Sequence, residues 1–411
     1  MLKIITFLGT VARKTVYRYH GQDYAGDVFG QAMCQFLDFD EMLVFVTEDA
    51  RRMAYPVLEA LKDPRIRPVD IPVAETSEEL WQLFDALTSQ VGVGDRVIFD
   101  ITHGLRSIPF LVFLTAAYLR SVKEVTIEKV LYGALELGKG HPAAPVIELT
   151  ELVTLLDWLT ATNQFIYTGD ARYLAHLLEQ EGQSRSSKAL QRAGADLSGF
   201  SLAMMLCRPL EVMEKAGGLG KTLANAQNEL AQWARPFGLL AGRIEQEYAA
   251  RALTRPTQDV VEGLTIQLDL IRWYMGNNQV IHAMTLAREW LVTLTGCRLG
   301  WGLVLDKSRR EENGIAGGIR QFSQFCRLKS ARESPAGLSF TASLIAQLPE
   351  ADLLRRAWDK VTGIRNDLNH AGMGEQAALA SRLARRASDV LPELQALFDK
   401  AVGRCPLEGA S

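Results

Sequence analysis

The feature that most constrains this chain is a hydrophobic period that keeps switching between that of a strand and that of a helix. Apolar runs of strand length lie at 2–8, 42–46, 66–73, 96–101 and 125–132, and helical patterns fill the intervals near 26–38, 49–61, 76–91 and 107–121. Strands that alternate with helices are joined by right-handed crossovers, which makes a mainly parallel sheet with helices on its faces. Residues 1–150 are therefore expected to form a Rossmann-like α/β domain. Beyond Thr150 the strand patterns fade. Residues 151–250 read as a helical connector, with a polar linker at 181–187 and helices near 198–215 and 221–252. Residues 251–411 read as an all-α domain, with apolar faces along 260–277 and 279–295 and a loop of mobile character between the glycine-rich stretches 296–302 and 314–318. A chain of 411 residues can bury two or three such cores. Trp273, Trp290, Trp301 and Trp358 are expected in the core, and His282 packed or partly exposed.

Composition narrows the function classes. The formal net charge is -3, so any nucleic-acid site must be a local basic cleft and not a general property of the surface. Five cysteines are widely spaced and form no C-x-x-C pair, which argues against zinc and a disulfide framework and for a reducing compartment. No metal is expected. The longest apolar run, 108–119, is shorter than a bilayer needs, and the first residues enter a strand pattern with no export signal. The expectation is a cytoplasmic protein without membrane association.

Two stretches carry chemistry. The first is Asp100-Ile101-Thr102-His103-Gly104-Leu105-Arg106-Ser107-Ile108-Pro109, a strand end, a polar turn and a helix start with proline in the first turn. Free N–H groups at such a helix start, the hydroxyls of Thr102 and Ser107, a glycine at 104 and the fork of Arg106 suit a phosphate or nucleotide. A plain capped turn would use the same residues. The loop after the first strand, Gly9-Thr10-Val11-Ala12-Arg13-Lys14-Thr15-Val16-Tyr17-Arg18-Tyr19, lies at the same sheet edge and adds three cations and two tyrosines. It contains no G-x-G-x-x-G, and no Walker A sequence occurs anywhere in the chain. The second stretch is Arg365-Asn366-Asp367-Leu368-Asn369-His370, followed by Gly372 and Gly374. A helix ending in a glycine-rich turn can present a histidine to solvent, and a simple polar cap would look the same. Residues five apart on a helix are about 140° apart around its axis, so Arg365 and His370 converge only if the helix breaks or a second chain completes the site. Arg382, Arg385 and Arg386 form a basic stripe beyond the motif.

The stretch Asp100 to Pro109 resembles the signature of CARF domains, the cyclic-oligoadenylate sensors of type III CRISPR systems, and the loop from Gly9 resembles their other ligand-facing loop. Thr47-Glu48 and Tyr132 to Glu136 also look like family positions. Arg-Asn-Asp-Leu-Asn-His resembles the catalytic motif of HEPN ribonucleases, and the two in this order resemble the auxiliary CARF–HEPN ribonucleases. That resemblance implies a ligand site of Gly9, Thr10, Arg13, Lys14, Tyr17, Thr102, His103, Gly104, Arg106 and Ser107, and a catalytic set of Arg365, Asn366 and His370. It implies metal-independent cleavage of single-stranded RNA by the 2′-OH, with no cofactor, activated by cyclic oligoadenylate. A homodimer or higher even oligomer is implied, and two-fold symmetry favours cyclic tetra-adenylate. Two other readings remain open, a CARF-type regulator or RNA-binding protein with an inactive helical half, and a nucleotide enzyme working at residues 100–107 alone.

Overall fold

The computed structural model describes residues 1–411 except 104–106, 139–142, 235–236, 239–240, 243, 245–247, 312–313, 329–337, 374–376 and 406–411. It divides into two compact units, Met1–Asp157 and Trp158–Ser411. The architecture is α/β followed by all-α, as the patterning implies.

In the first unit, strands β1 (Leu2–Leu8), β2 (Thr15–Tyr19), β3 (Gln22–Gly26), β4 (Glu41–Val46), β5 (Ile66–Asp70), β6 (Arg96–Asp100), β7 (Thr126–Gly133) and β8 (Ala144–Glu148) form one sheet in the order β3-β2-β8-β7-β6-β1-β4-β5. The run from β7 to β5 is parallel. A parallel strand covered on both faces is apolar throughout, and β1 is buried from Lys3 to Leu8. Its alternate residues serve opposite cores. Ile4, Val44 and Ile98 pack with Phe29, Met33 and Leu58. Ile5, Phe45 and Phe99 pack with Leu83, Val112 and Leu119 on the other face.

Three strands escape the sequence pattern. The segment from Gly9 to Tyr19, expected to be a loop leading into a helix, is strand from Thr15 onward. It turns through His20 and Gly21, both at positive φ (46° and 79°), into antiparallel β3. Two successive positive φ values are those of a type I′ hairpin, which matches the strand twist. Strand β8 runs antiparallel to β7 and carries the hairpin on its far side.

The second unit is helical among its described residues, and one apolar cluster runs through it from Trp158 to Cys405. Several local expectations are corrected. Residues 181–187 are no linker: helix Arg172–Ser184 turns at once into Lys188–Met205, whose first N–H groups are capped by Ser187 (Leu190 N–H to Oγ, 3.2 Å). Gly194 lets these helices touch, since a Cβ there would lie 2.8 Å from the Ala175 carbonyl. The helix expected over 198–215 is broken between Met205 and Pro209, and the one over 221–252 is broken after Asn225. The glycine-rich stretches are not loop throughout. Helix Val280–Arg298 continues through Gly296, helix Ile315–Leu328 contains Gly317 and Gly318, and Lys307–Arg310 is a turn capped by Asp306. Trp273, Trp290 and Trp358 are buried, but Trp301 is 38% exposed. His282 is part-buried, stacked on Tyr274 and bonded through Nε2 to the Met205 carbonyl (3.0 Å).

Ser201 tests how this core is closed. Its buried hydroxyl accepts from Ala171 N–H (2.8 Å) and donates to the Gly169 carbonyl (2.7 Å), where the chain turns at positive φ. Ser201→Ala leaves both backbone groups unpaired. The expected loss is about 1–3 kcal/mol in urea denaturation, and an unchanged midpoint would show the turn to be held by other means.

Candidate functional site

At the carboxyl end of the central strands, the side chains of the first motif are bonded largely to one another. Asp100 closes β6 and is fully buried. Its carboxylate accepts from the Thr6 hydroxyl on the neighbouring strand (2.6 Å) and from Thr102 N–H (2.8 Å). Thr102 in turn accepts at Oγ1 from Gly133 N–H at the end of β7 (2.8 Å). A Cβ at Gly133 would lie 3.1 Å from the Tyr17 ring, and one at Gly9 3.1 Å from the His103 carbonyl. The two glycines thus let three strand ends close on one another.

His103 sits in the middle of this contact. Its Nε2 accepts from Phe29 N–H (3.1 Å), at the start of helix Phe29–Phe36, and lies 3.2 Å from the Tyr17 hydroxyl. An N–H aimed at Nε2 requires that nitrogen to be unprotonated, and the positive end of the helix opposes a cation there. Burial lowers the imidazole pKa, against the opposing pull of Asp100. Burial also raises Asp100 above the usual carboxylate range, with His103, Thr102 and Thr6 working the other way.

Tyr17, Thr102 and His103, three of the expected ligand residues, are therefore engaged internally, and Tyr17 is fully buried on a strand. Thr10, Arg13, Lys14 and Ser107 are exposed. Ser107 stands at the start of helix Ile108–Lys123 without using its side chain as a cap. Gly104 and Arg106 lie outside the described residues. Cations, a free hydroxyl and a helix N-terminus on one sheet edge can hold an anion. Of the neighbouring positions, Thr47 caps helix Glu48–Met53 and Tyr132 donates to Glu136 (2.6 Å). Patterning alone did not reveal Thr6, Gly133 or the Phe29 N–H. Their link to the motif is register and chain reversal.

In the helical unit, Arg365, Asn366 and His370 lie on helix Ala351–Asn369. The helix does not break before His370, whose N–H still bonds the Asn366 carbonyl (3.0 Å). The chain leaves through Ala371 and Gly372 at positive φ (52° and 71°), and Asp367 pins the return by accepting from Ala378 N–H (3.0 Å). His370 and Asn366 are exposed and Arg365 is half-buried. Arg365 and Asn366 line a cavity of about 480 Å³ that His370 does not reach. The Nε of Arg365 is buried with no hydrogen-bond partner among the described residues. Arg288, also on the cavity wall, pairs with Glu311 (2.7 Å) and Glu289 (2.5 Å). Its hydrogen bond is the main reason the Glu311 carboxyl is held below its ordinary range, with Arg310 and Arg365 adding to the effect. Arg382, Arg385 and Arg386 are all exposed. Patterning did not single out Arg288, one of two arginines on helix Val280–Arg298, whose place on the cavity wall is set by helix packing. Among the described residues no cluster of His, Cys, Asp and Glu has the makings of a metal site, and no helix is long and apolar enough to cross a membrane.

The neutral His103 makes a pH prediction. Its folded pKa lies below the unfolded value of about 6.5, so stability is complete above that value. It falls as the pH drops through it, because the unfolded chain takes up a proton that the folded chain refuses. Denaturation at pH 7 and pH 5 should give a smaller loss in His103→Gln than in the natural protein. An equal loss would place the charge uptake elsewhere.

Comparison with known proteins adds an independent line. Residues 154–252 match a family model described as CRISPR-associated protein MJ1674, second domain. The CRISPR-associated protein MJ1674 of Methanocaldococcus jannaschii is 30% identical over 114 residues, which span 27% of this chain and 18% of that relative. Among solved structures, Enterococcus italicus Csm6 bound to cyclic hexa-2'-fluoro-hexa-dAMP aligns over 97% of this chain and 94% of its own, at 9% identity and a TM-score of 0.45. The similarity to a CRISPR-associated protein lies in a part of the chain that contains neither motif. Over residues 154–252 the chain is thus similar to the second domain of a CRISPR-associated protein, and it spans less than a fifth of that relative's length.

Proposed function

We propose that the protein is a cyclic-oligoadenylate-activated, metal-independent endoribonuclease for single-stranded RNA, with a CARF-like sensor at 1–150, a connector at 151–250 and a HEPN-like domain at 251–411. The observation that carries this reading is Arg365. Its Nε is buried with no hydrogen-bond partner among the described residues, on the wall of a cavity that holds three further arginines. An arginine left so is suited to an anion that arrives with the substrate.

RNA brings its own nucleophile. The 2′-OH attacks the adjacent phosphorus and the bond to the 5′-oxygen breaks, leaving a 2′,3′-cyclic phosphate and a 5′-OH. The proton lost by the 2′-OH and the proton gained by the leaving oxygen need a carrier, and exposed His370 can act as that acid or base. Arg365 stabilises the charge that builds on the phosphoryl oxygens, and Asn366 orients it. Because the helix is continuous through Asn369, Arg365 and His370 diverge by about 140° around its axis. A productive cleft therefore takes the motifs of two copies related by a two-fold axis. A cyclic ligand with an even number of units shares that symmetry. It would be held by exposed Thr10, Arg13, Lys14 and Ser107, by Gly104 and Arg106 of the same motif, and by close approach at Gly9. In this arrangement Tyr17, Thr102 and His103 shape the floor from within. For activation, the ring must bind the active arrangement more tightly than the resting one.

The test is cleavage of a fluorescent single-stranded RNA in EDTA, with and without cyclic tetra-adenylate. Ligand-dependent cleavage should fall at least about 100-fold in His370→Ala and in Arg365→Ala. Cleavage indifferent to His370→Ala, or absent with every ring size, would leave the protein a ligand-sensing regulator.

A further inference from the structure

The cavity beside the motif is built from two helix faces. Arg320, Ser323, Gln324 and Arg327 lie on Ile315–Leu328 at spacings that put them on one side, and Asp359, Thr362, Arg365 and Asn366 do the same on Ala351–Asn369. Four of the lining residues are arginines, and among the described lining residues the carboxylate is that of Asp359. That carboxylate is already divided: it accepts from Ser323 (2.5 Å) and pairs with Arg327 (2.7 Å) and Arg355 (3.6 Å). Arg288 is fixed at the back by Glu289 and Glu311 and lies over the ring of Trp358 at 5.7 Å. Arg320 and Arg327 stand at the exposed side.

From this we infer that the cavity is a subsite for the RNA backbone next to the cut. In it, Arg320 and Arg327 hold phosphates of the nucleotides that flank the scissile bond, and Asp359 acts as a positioning residue that aims the Arg327 fork. The inference rests on the ribonuclease reading and names where its substrate lies. A volume of about 480 Å³ falls within the range of small-molecule sites, large enough for a nucleotide and not only a bare anion. The excess of guanidinium over carboxylate selects a phosphodiester, whose paired oxygens match the fork. Positions 320 and 327 are about 10 Å apart along the helix axis, a separation that suits two phosphates of one strand with the scissile phosphate between them. Arg365 belongs both to this wall and to the cleavage motif, so a strand lying in the cavity is led directly to the reacting bond.

Two measurements test this. Binding of a fluorescein-labelled single-stranded RNA is followed by anisotropy in the His370→Ala background, and cleavage kinetics are followed with His370 in place. Arg320→Gln and Arg327→Gln should each raise Kd roughly tenfold and reduce the slope of log affinity against log salt by about 0.7. In cleavage they should raise KM far more than they lower kcat. Arg320→Lys and Arg327→Lys, which keep the charge, should keep the salt slope, whereas a merely structural role would leave the slope untouched in every folded variant. A protein that cuts RNA with KM and salt slope indifferent to both glutamine variants overturns the subsite and leaves the nuclease reading intact. A protein that never cuts, yet binds RNA in a way that depends on both arginines, overturns the nuclease reading and leaves the RNA-binding cavity standing.

Discussion

A carboxylate without water stands at the end of the central strands, and the loops around it are arranged to satisfy it. Asp100 is fully buried, and an isolated charge in such a place costs far more than a protein's net stability unless it is bonded or neutralised. The answer here is local. Thr6 donates from β1, Thr102 donates its N–H from the turn, and Thr102 accepts from the end of β7. Three strands that form the floor of any ligand site are thereby locked in register at the one edge where open α/β sheets bind ligands. His103 extends the lock to the helix at Phe29 and to Tyr17. The polar residues of this motif serve rigidity first. What they leave free is the backbone at Gly9 and the exposed side chains around it.

The helical unit solves a related problem with charge. Arg288 lies in the middle of helix Val280–Arg298, whose residues are buried almost throughout its second half, and is itself buried. Its partners Glu289 and Glu311 are shared with Arg310, which also bonds the Glu289 and Val304 carbonyls and the Thr293 hydroxyl. Breaking any member leaves a buried charge short of a partner, so such a network holds geometry more than it adds stability. It touches two cavities. Glu289 and Arg310 line one of about 410 Å³ against Cys207, Arg208 and Glu211, and Arg288 lines the one that carries Arg365. The turn at 207–211 lies within the segment that matches the MJ1674 second domain.

What could be read in advance follows from how each element is buried. Strands β1, β4, β6 and β7 are covered on both faces or nearly so, and their apolar runs stand out. Strands β2 and β3 alternate exposed and buried residues over only five positions each, too short a pattern to separate from a polar loop. The useful signal was His20-Gly21, a hairpin turn carried by a residue other than the usual asparagine or aspartate. Glycines misled in the helical half for the opposite reason. Gly194, Gly296 and Gly318 are interior to helices because other chain segments press against them, a demand of packing that composition presents as flexibility. The motif residues themselves were legible as types and spacing. Their engagement was not, because Thr102 and His103 are bonded to partners 31 and 74 positions away.

The contrast between the two motif histidines follows from those surroundings. His103 is enclosed, with a backbone N–H fixed on its acceptor nitrogen, and taking up a proton there would break the contact that joins the sheet edge to the first helix. A residue so held cannot exchange protons with a substrate without loosening the fold. His370 caps a helix in solvent, with its backbone tied at both ends and its ring committed to none of the bonds that hold the turn. Residue type alone would allow either histidine to do chemistry. The setting gives the first a structural task, and it leaves the ring of the second available for the reaction proposed above.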